Sequence, residues 1–190
     1  LPAAHLSYNG TNHGSYSGDF SALATNNFAV EFWVRTSNLT QSAISVFQTG
    51  NNNNGSLKIG IAGGVWTASY HNVGWIGATD GVGQAVTSGT WTHLAVIRDN
   101  GTSTFYIDGV AQSGTSNGTP VHNDSAHLAV NPGGFAGNWF EGDLDEINTF
   151  TFVSGVDDPV AALSINAVPE PASTAFLGLS GLVFLLRRRK

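Results

Sequence analysis

The 190-residue chain contains no cysteine and no methionine. The first absence excludes disulfides and cysteine-based zinc sites, though not export. The second means that no initiator residue is present. We therefore expect a processed form or a fragment, with "LPAAHL" following a removed signal peptide. Charge is also scarce, at 11% of residues, well below the share usual in globular domains. Positive charge is scarcest of all. Four of the seven cations are Arg187, Arg188, Arg189 and Lys190, so residues 1–167 hold only Arg35, Lys58 and Arg98 against 12 carboxylates, a formal net of −9. A body of that sign repels phosphate backbones, which argues against a nucleic-acid partner. Helical periodicity is missing before the tail, apart from one turn expected at 159–164 after Asp157-Asp158-Pro159.

What is present is turn chemistry and strand chemistry. There are 24 glycines, hydrophobic residues make up 41% of the chain, and Asn, Ser and Thr are abundant. That combination supports a real core and reads as all-β with many turns. In "NFAVEFWVRT", residues 27–36, Phe28, Val30, Phe32 and Val34 face one way and Ala29, Glu31, Trp33 and Arg35 the other, which predicts a half-buried strand. "WTHLAVIRDNGTSTFYIDGVAQS", residues 91–113, predicts three strands joined by tight turns at Asn100-Gly101 and Asp108-Gly109. Further strands are expected at 4–8, 43–48, 56–62, 65–70, 82–87, 126–130 and 139–152. Regular short strands with turn signals point to an antiparallel sandwich or barrel.

The last 23 residues, "VPEPASTAFLGLSGLVFLLRRRK", have a different character. Residues 172–186 are apolar all round, which suits a lipid-facing helix better than an amphipathic one. As a helix they would span roughly 22 Å, short of a ~30 Å hydrocarbon core. The terminal cations can extend such a span by snorkelling and would hold that end in the cytoplasm. A Pro-x-Pro break separates the segment from the body. The expected organisation is therefore a β domain at 1–156, a linker at 157–167 and a tail at 168–190, with a short transmembrane helix at 172–186 and a basic end at 187–190.

Two resemblances follow from these residues. Pro169-Glu170-Pro171, the apolar segment and Arg187-Arg188-Arg189 in order resemble the PEP-CTERM sorting signal of Gram-negative bacteria. That resemblance implies export, transient anchoring in the inner membrane, recognition by an exosortase, and a final place at the cell surface or in the extracellular matrix. In the body, "LSYNGTNHGSYSG", "FAVEFWVRT", "SGTWTHLAVIRDNGTSTFYIDG" and "FEGDLDEINTF" resemble the laminin G-like jelly roll, the concanavalin A-like lectin/glucanase fold. It implies two antiparallel sheets. It leaves function open, since the fold hosts lectins, glycosidases, adhesion modules and spacers.

The resemblance supplies tests. Family 16 glycosidases on this fold carry Glu-x-Asp-x-Glu or Glu-x-Asp-x-x-Glu on one strand, because retention needs two carboxyl groups roughly 5–5.5 Å apart. Here the positions are Asp143, Asp145 and Ile147, or Asn148 if a bulge intervenes. The pattern is broken, and catalysis is not expected. Laminin G-like domains often hold calcium near the junction of their first and last strands, which implies Asn9, Asp143 and Asp145 as oxygen ligands. Asn9-Gly10 reads equally as a plain turn. For a sugar, the mix of aromatic rings and hydrogen-bonding side chains at Trp66, Tyr70, His71 and Trp75, with Trp139 in a similar Gly/Asn-rich loop, is the candidate surface; the same rings could instead fill the core. The function expected is a non-catalytic, exported module binding extracellular polysaccharide or a surface protein. The alternatives are a matrix spacer without a specific ligand and, less favoured, a family-16-like hydrolase.

Overall fold

In a computed structural model the residues described are 5–17, 20, 23–41, 45–50, 54–77, 83–121, 125–129 and 139–167. They form twelve strands: β1 (Leu6–Asn9), β2 (Gly14–Ser17), β3 (Phe28–Arg35), β4 (Phe47–Thr49), β5 (Leu57–Ala62), β6 (Val65–Tyr70), β7 (Gly74–Ile76), β8 (Thr92–Asp99), β9 (Thr102–Ile107), β10 (Val110–Ser116), β11 (Ser125–Leu128) and β12 (Glu141–Thr151). Every pairing is antiparallel. The first sheet has the order β1-β12-β3-β8-β9-β10 and the second β2-β11-β4-β5-β6-β7. The two hairpin turns form as expected. Asn100 and Gly101 have φ of 46° and 81°, and Asp108 and Gly109 have 49° and 75°, the paired positive angles that match a turn to strand twist.

Period-two alternation fills the space between the sheets. Phe28, Val30, Phe32, Val34, Leu94, Val96, Phe105 and Leu144 point inward from the first sheet and meet Phe47, Leu57, Ile59, Ile61, Trp66 and Tyr70 of the second. Phe32 and Phe47 stack across it, centroids 6.0 Å apart. Each such fully buried side chain contributes about 1.5–3 kcal/mol by leaving water. The strand expected at 82–87 is reduced to one bridge, Val65 to Ala85, while β2 and β7 were not anticipated.

Two expectations are corrected on the outward face of the first sheet. Residues 157–167 are no free linker, and β3 is buried on both faces. Residues 152–167 run back over that sheet as a strap. Leu163 is buried against Ala29, Ala95 and Ile97, with Phe152, Val160 and Ile165 packed around them. Asp158 Oδ1 accepts the Val160 and Ala161 amides, and Ala162 N–H reaches Asp158 O. The expected turn at 159–164 is thus a hydrogen-bonded turn within the strap. Small outward residues at 29 and 95 leave a shallow apolar strip that only another layer could remove from water.

Candidate functional site

Polar side chains collect on the same outward face. Glu31 and His93 are neighbours on β3 and β8, fully buried beneath the strap. Glu31 Oε2 lies 2.9 Å from His93 Nε2 and accepts the Ser164 amide at 2.8 Å. Its Oε1 accepts Asn148 Nδ2 at 3.1 Å and Ser164 Oγ at 3.2 Å. Burial alone would raise the Glu31 carboxyl. The hydrogen bonds from His93, Ser164 and Asn148, with the imidazole's charge, outweigh it and hold the group below its ordinary range. Trp33 Nε1 donates to Ser164 O at 3.2 Å. Serine, carboxylate and imidazole meet here, but the carboxylate stands between the other two. Among the described residues no imidazole reaches the serine hydroxyl, which donates to Glu31 instead, so the group acts as a latch for the strap.

Beyond the strap the face opens. Arg35 Nη2 and Nε donate to Asp143 Oδ2 at 2.6 and 3.0 Å, and Ser7 Oγ donates to Oδ1 at 2.6 Å. His5 Nε2 lies 3.6 Å from the same oxygen. Burial would raise the Asp143 carboxyl, but Ser7 and Arg35 together pull it below its ordinary range. The Arg35 guanidinium also sits 4.7 Å from the centre of the half-exposed Trp91 ring, within cation–π range. Trp91 is not among the candidate aromatics that the sequence singles out. The pairing of Arg35 with Asp143 across β3 and β12 was the signal that could have found this cluster.

The calcium donors do not fit one ion. Both Asp143 oxygens are committed to Arg35 and Ser7, and a cation would have to displace a guanidinium. Asn9 Oδ1 closes its own turn, accepting from Thr11 N, Thr11 Oγ1 and Asn12 N at 2.8–3.1 Å. Asp145 Oδ1 accepts the adjacent Glu146 amide. Among the described residues no group of three or more His, Asp or Glu side chains is arranged for a metal.

The glycosidase positions resolve in the same strand. A bulge between Asp145 and Asn148, with Glu146 at φ 47°, returns Asn148 to the face of Asp143 and Asp145. The third position is thus Asn148, opposite Glu31. An amide cannot serve as a proton-donating acid, and Asp143 is held ionised by Arg35.

The expected sugar-binding aromatics are not brought together. Trp66 and Tyr70 are each 1% exposed and belong to the core, because even-numbered positions of β6 face inward. Their rings are not available at the surface, and that part of the expectation is corrected. His71 and Trp75 are half-exposed at the β6–β7 end of the second sheet. His71 is lowered by burial and by Lys58. Trp139, also half-exposed, stands at the approach to β12 with its ring 5.1 Å from His13. His13 leads into β2, and β2 and β7 are opposite edges of the second sheet, so Trp75 and Trp139 mark different places. The register Gln48–Lys58–Ser69–Trp75 forms a polar row along the second sheet's outward face that sequence reasoning missed. Pro169, Glu170, Pro171, Arg187, Arg188, Arg189 and the apolar helix at 172–186 lie outside the described residues. Among those described, no helix is long and apolar enough to cross a membrane.

Two six-stranded antiparallel sheets in this order define a jelly-roll β-sandwich. The chain belongs to the concanavalin A-like lectin/glucanases superfamily, matched over residues 9–156, and it carries the PEP-CTERM protein-sorting motif over residues 167–190. No curated protein matches the chain by sequence. Solved structures share the fold. Domain 4 of an extracellular arabinanase from Geobacillus stearothermophilus, in complex with arabinotriose, is 21% identical with a TM-score of 0.52, covering 78% of this chain and 81% of that one. The sialidase CBM40 of Ruminococcus gnavus, bound to α2,3 sialyllactose, is 13% identical with a TM-score of 0.57, covering 88% and 96%. Mouse laminin α1 domains LG4–5 give 11% and 0.57, covering 76% and 40%. At these identities the likeness establishes the fold.

Proposed function

We propose that this protein is an exported, non-catalytic module that binds glycan or protein at the cell surface or in the extracellular matrix. The observation that carries the reading is one chain holding a lectin-like jelly roll at 9–156 and a sorting motif at 167–190. The sorting motif supports passage through the inner membrane and processing by an exosortase. The broken acid pair at Asp143 and Asn148 supports binding without turnover. Two of the structural neighbours, the arabinanase domain and the CBM40 module, hold a bound saccharide, which favours glycan among the ligand classes. Trp75 beside Ser69, and Trp91 beside Arg35, each offer a partly exposed aromatic ring next to a hydrogen-bonding group, the combination that holds a sugar ring. Calcium is no part of this reading, for the donor geometry given above. A glycan array probed with the full chain in detergent tests it. Selective binding to a saccharide class is the expected result. Silence across the array, with the β signature intact by circular dichroism, would favour a matrix spacer instead.

A further inference from the structure

Residues 1–167 contain only three cations, and they are not treated alike. Arg35 has its carboxylate partner. Arg98, on β8, is 4% exposed, yet among the described residues no carboxylate pairs with it. Nη1 donates to Gly118 O at 2.8 Å and Ser103 Oγ at 3.3 Å. Nε is shielded from water without an acceptor. A guanidinium keeps its charge at any physiological pH, and a buried charge without a counter-ion is costly. In a body with formal net charge −9, a buried cation lacking an acid is the less expected arrangement.

Arg98 is one of the residues that line a cavity of about 290 Å³, with Ala24, Thr25, Asn26, Thr119 and Pro120. Arg98 Nη2 and Asn26 Oδ1 stand beside the same turn, 3.7 and 3.6 Å from where a side chain at Gly101 would begin. The walls are tied down. Gly101 N–H reaches Asn26 O, and Val121 N–H reaches Gly55 O, at 3.1 and 2.9 Å. Asn100 N–H reaches Asn27 Oδ1 at 2.8 Å. The volume lies just below the range of roughly 300–1,000 Å³ usual for small-molecule sites, room for a single sugar residue.

We propose that this cavity binds the carboxylate of an acidic sugar, with Arg98 supplying the charge and Asn26 the adjoining hydrogen bonds. A single buried cation matches a single anionic group, and the neutral amide and threonines beside it match ring hydroxyls. The source of the ligand rests on the glycan-binding reading above; the chemistry of the pocket does not.

The test is calorimetric titration of the full chain in detergent, at low salt, with glucuronate, its methyl ester and acetate. Glucuronate should saturate, and the ester, which has lost its charge, should bind at least ~10-fold more weakly. Asn26→Asp places an acid beside the guanidinium from an exposed position. It should raise Tm and weaken glucuronate at least ~10-fold. The proposal is overturned if glucuronate does not saturate, if the ester binds equally, or if Asn26→Asp binds as the wild type does. Acetate binding as tightly as glucuronate would overturn the sugar assignment. Neutral glycans that bind the array while glucuronate does not would sink this inference alone; a silent array together with no glucuronate binding would sink both.

Discussion

Glu31 and His93 meet at 2.9 Å on the outward face of the first sheet, and neither side chain is exposed. The pair is buried because residues 152–167 lie over it, and the strap is held because Glu31 accepts both the amide and the hydroxyl of Ser164. Each therefore depends on the other. Glu31→Ala would leave His93 buried without its partner and free Ser164 at once. Removal of one member of a buried pair costs about 3–5 kcal/mol. Urea unfolding should show that loss. Hydrogen exchange should quicken at residues 160–165 more than in β9 or β5. Uniform acceleration throughout the domain would mean the strap is not a separable layer.

The latch also sets a pH dependence. The Glu31 carboxyl lies below its ordinary value of 4.5, so the unfolded chain takes up its proton first as pH falls. The stability it contributes is complete above that ordinary value and is lost as pH drops through the lower folded one. The difference in unfolding free energy between wild type and Glu31→Gln should therefore be constant from pH 7 to about 5 and shrink below about 4.5. A difference unchanged down to pH 3 would show that the carboxylate's charge plays no part.

Lys58 carries the opposite linkage. It is 5% exposed, and burial lowers its amine from 10.5 to about 8. Below pH 8 both states hold the proton and folding bears the full cost of burying the charge. As pH rises from about 8 to 10.5 the folded amine loses its proton first and that cost disappears. Lys58→Met should thus stabilise the domain by about 1–3 kcal/mol at pH 7 and by much less at pH 10. A variant less stable than wild type at pH 7 would mean that the amine has a bound partner there.

The contrast between these groups explains how much the residues disclosed in advance. Alternation at 28–35 and the two Xaa-Gly turns were local signals, and they gave β3, β8, β9 and β10 correctly. The strap was not legible. Its residues 152–167 contain proline, paired aspartates and scattered apolar side chains, and nothing local says that Leu163 will meet Ala29 and Ala95. Trp66 and Tyr70 were ambiguous for a related reason. A strand's period assigns residues to two faces but does not say which face another sheet covers. Lys58 and Arg98 stood out only as rare cations, and their burial is a tertiary fact.

Asp143 separates two uses of a carboxylate. Arg35 and Ser7 take both of its oxygens, leaving none for a cation. We expect Tm to be the same in EDTA and in millimolar calcium, because a ligand bound only to the folded state would raise it. Asp143→Asn, in a pair whose side chains are 28% and 20% exposed, should cost about 1 kcal/mol or less. A calcium-dependent rise in Tm abolished by Asp143→Asn would show that the ion displaces Arg35.

Trp66 and Trp75 share a hairpin and should behave as opposites. Trp66 is 1% exposed in the core, and Trp66→Ala would leave a large cavity costing about 3–5 kcal/mol. Trp75 is half-exposed on the edge strand β7, where it pairs with Ser69, so Trp75→Ala removes fewer contacts and should cost about 1 kcal/mol. If the β6–β7 surface holds a sugar ring, Trp75→Ala should also weaken saccharide binding at least ~10-fold, as loss of one stacked aromatic does elsewhere. Urea unfolding and titration of a saccharide identified on the array measure the two effects separately. Loss of stability without loss of affinity at Trp75 would move the binding surface to Trp91 and Arg35 on the other sheet.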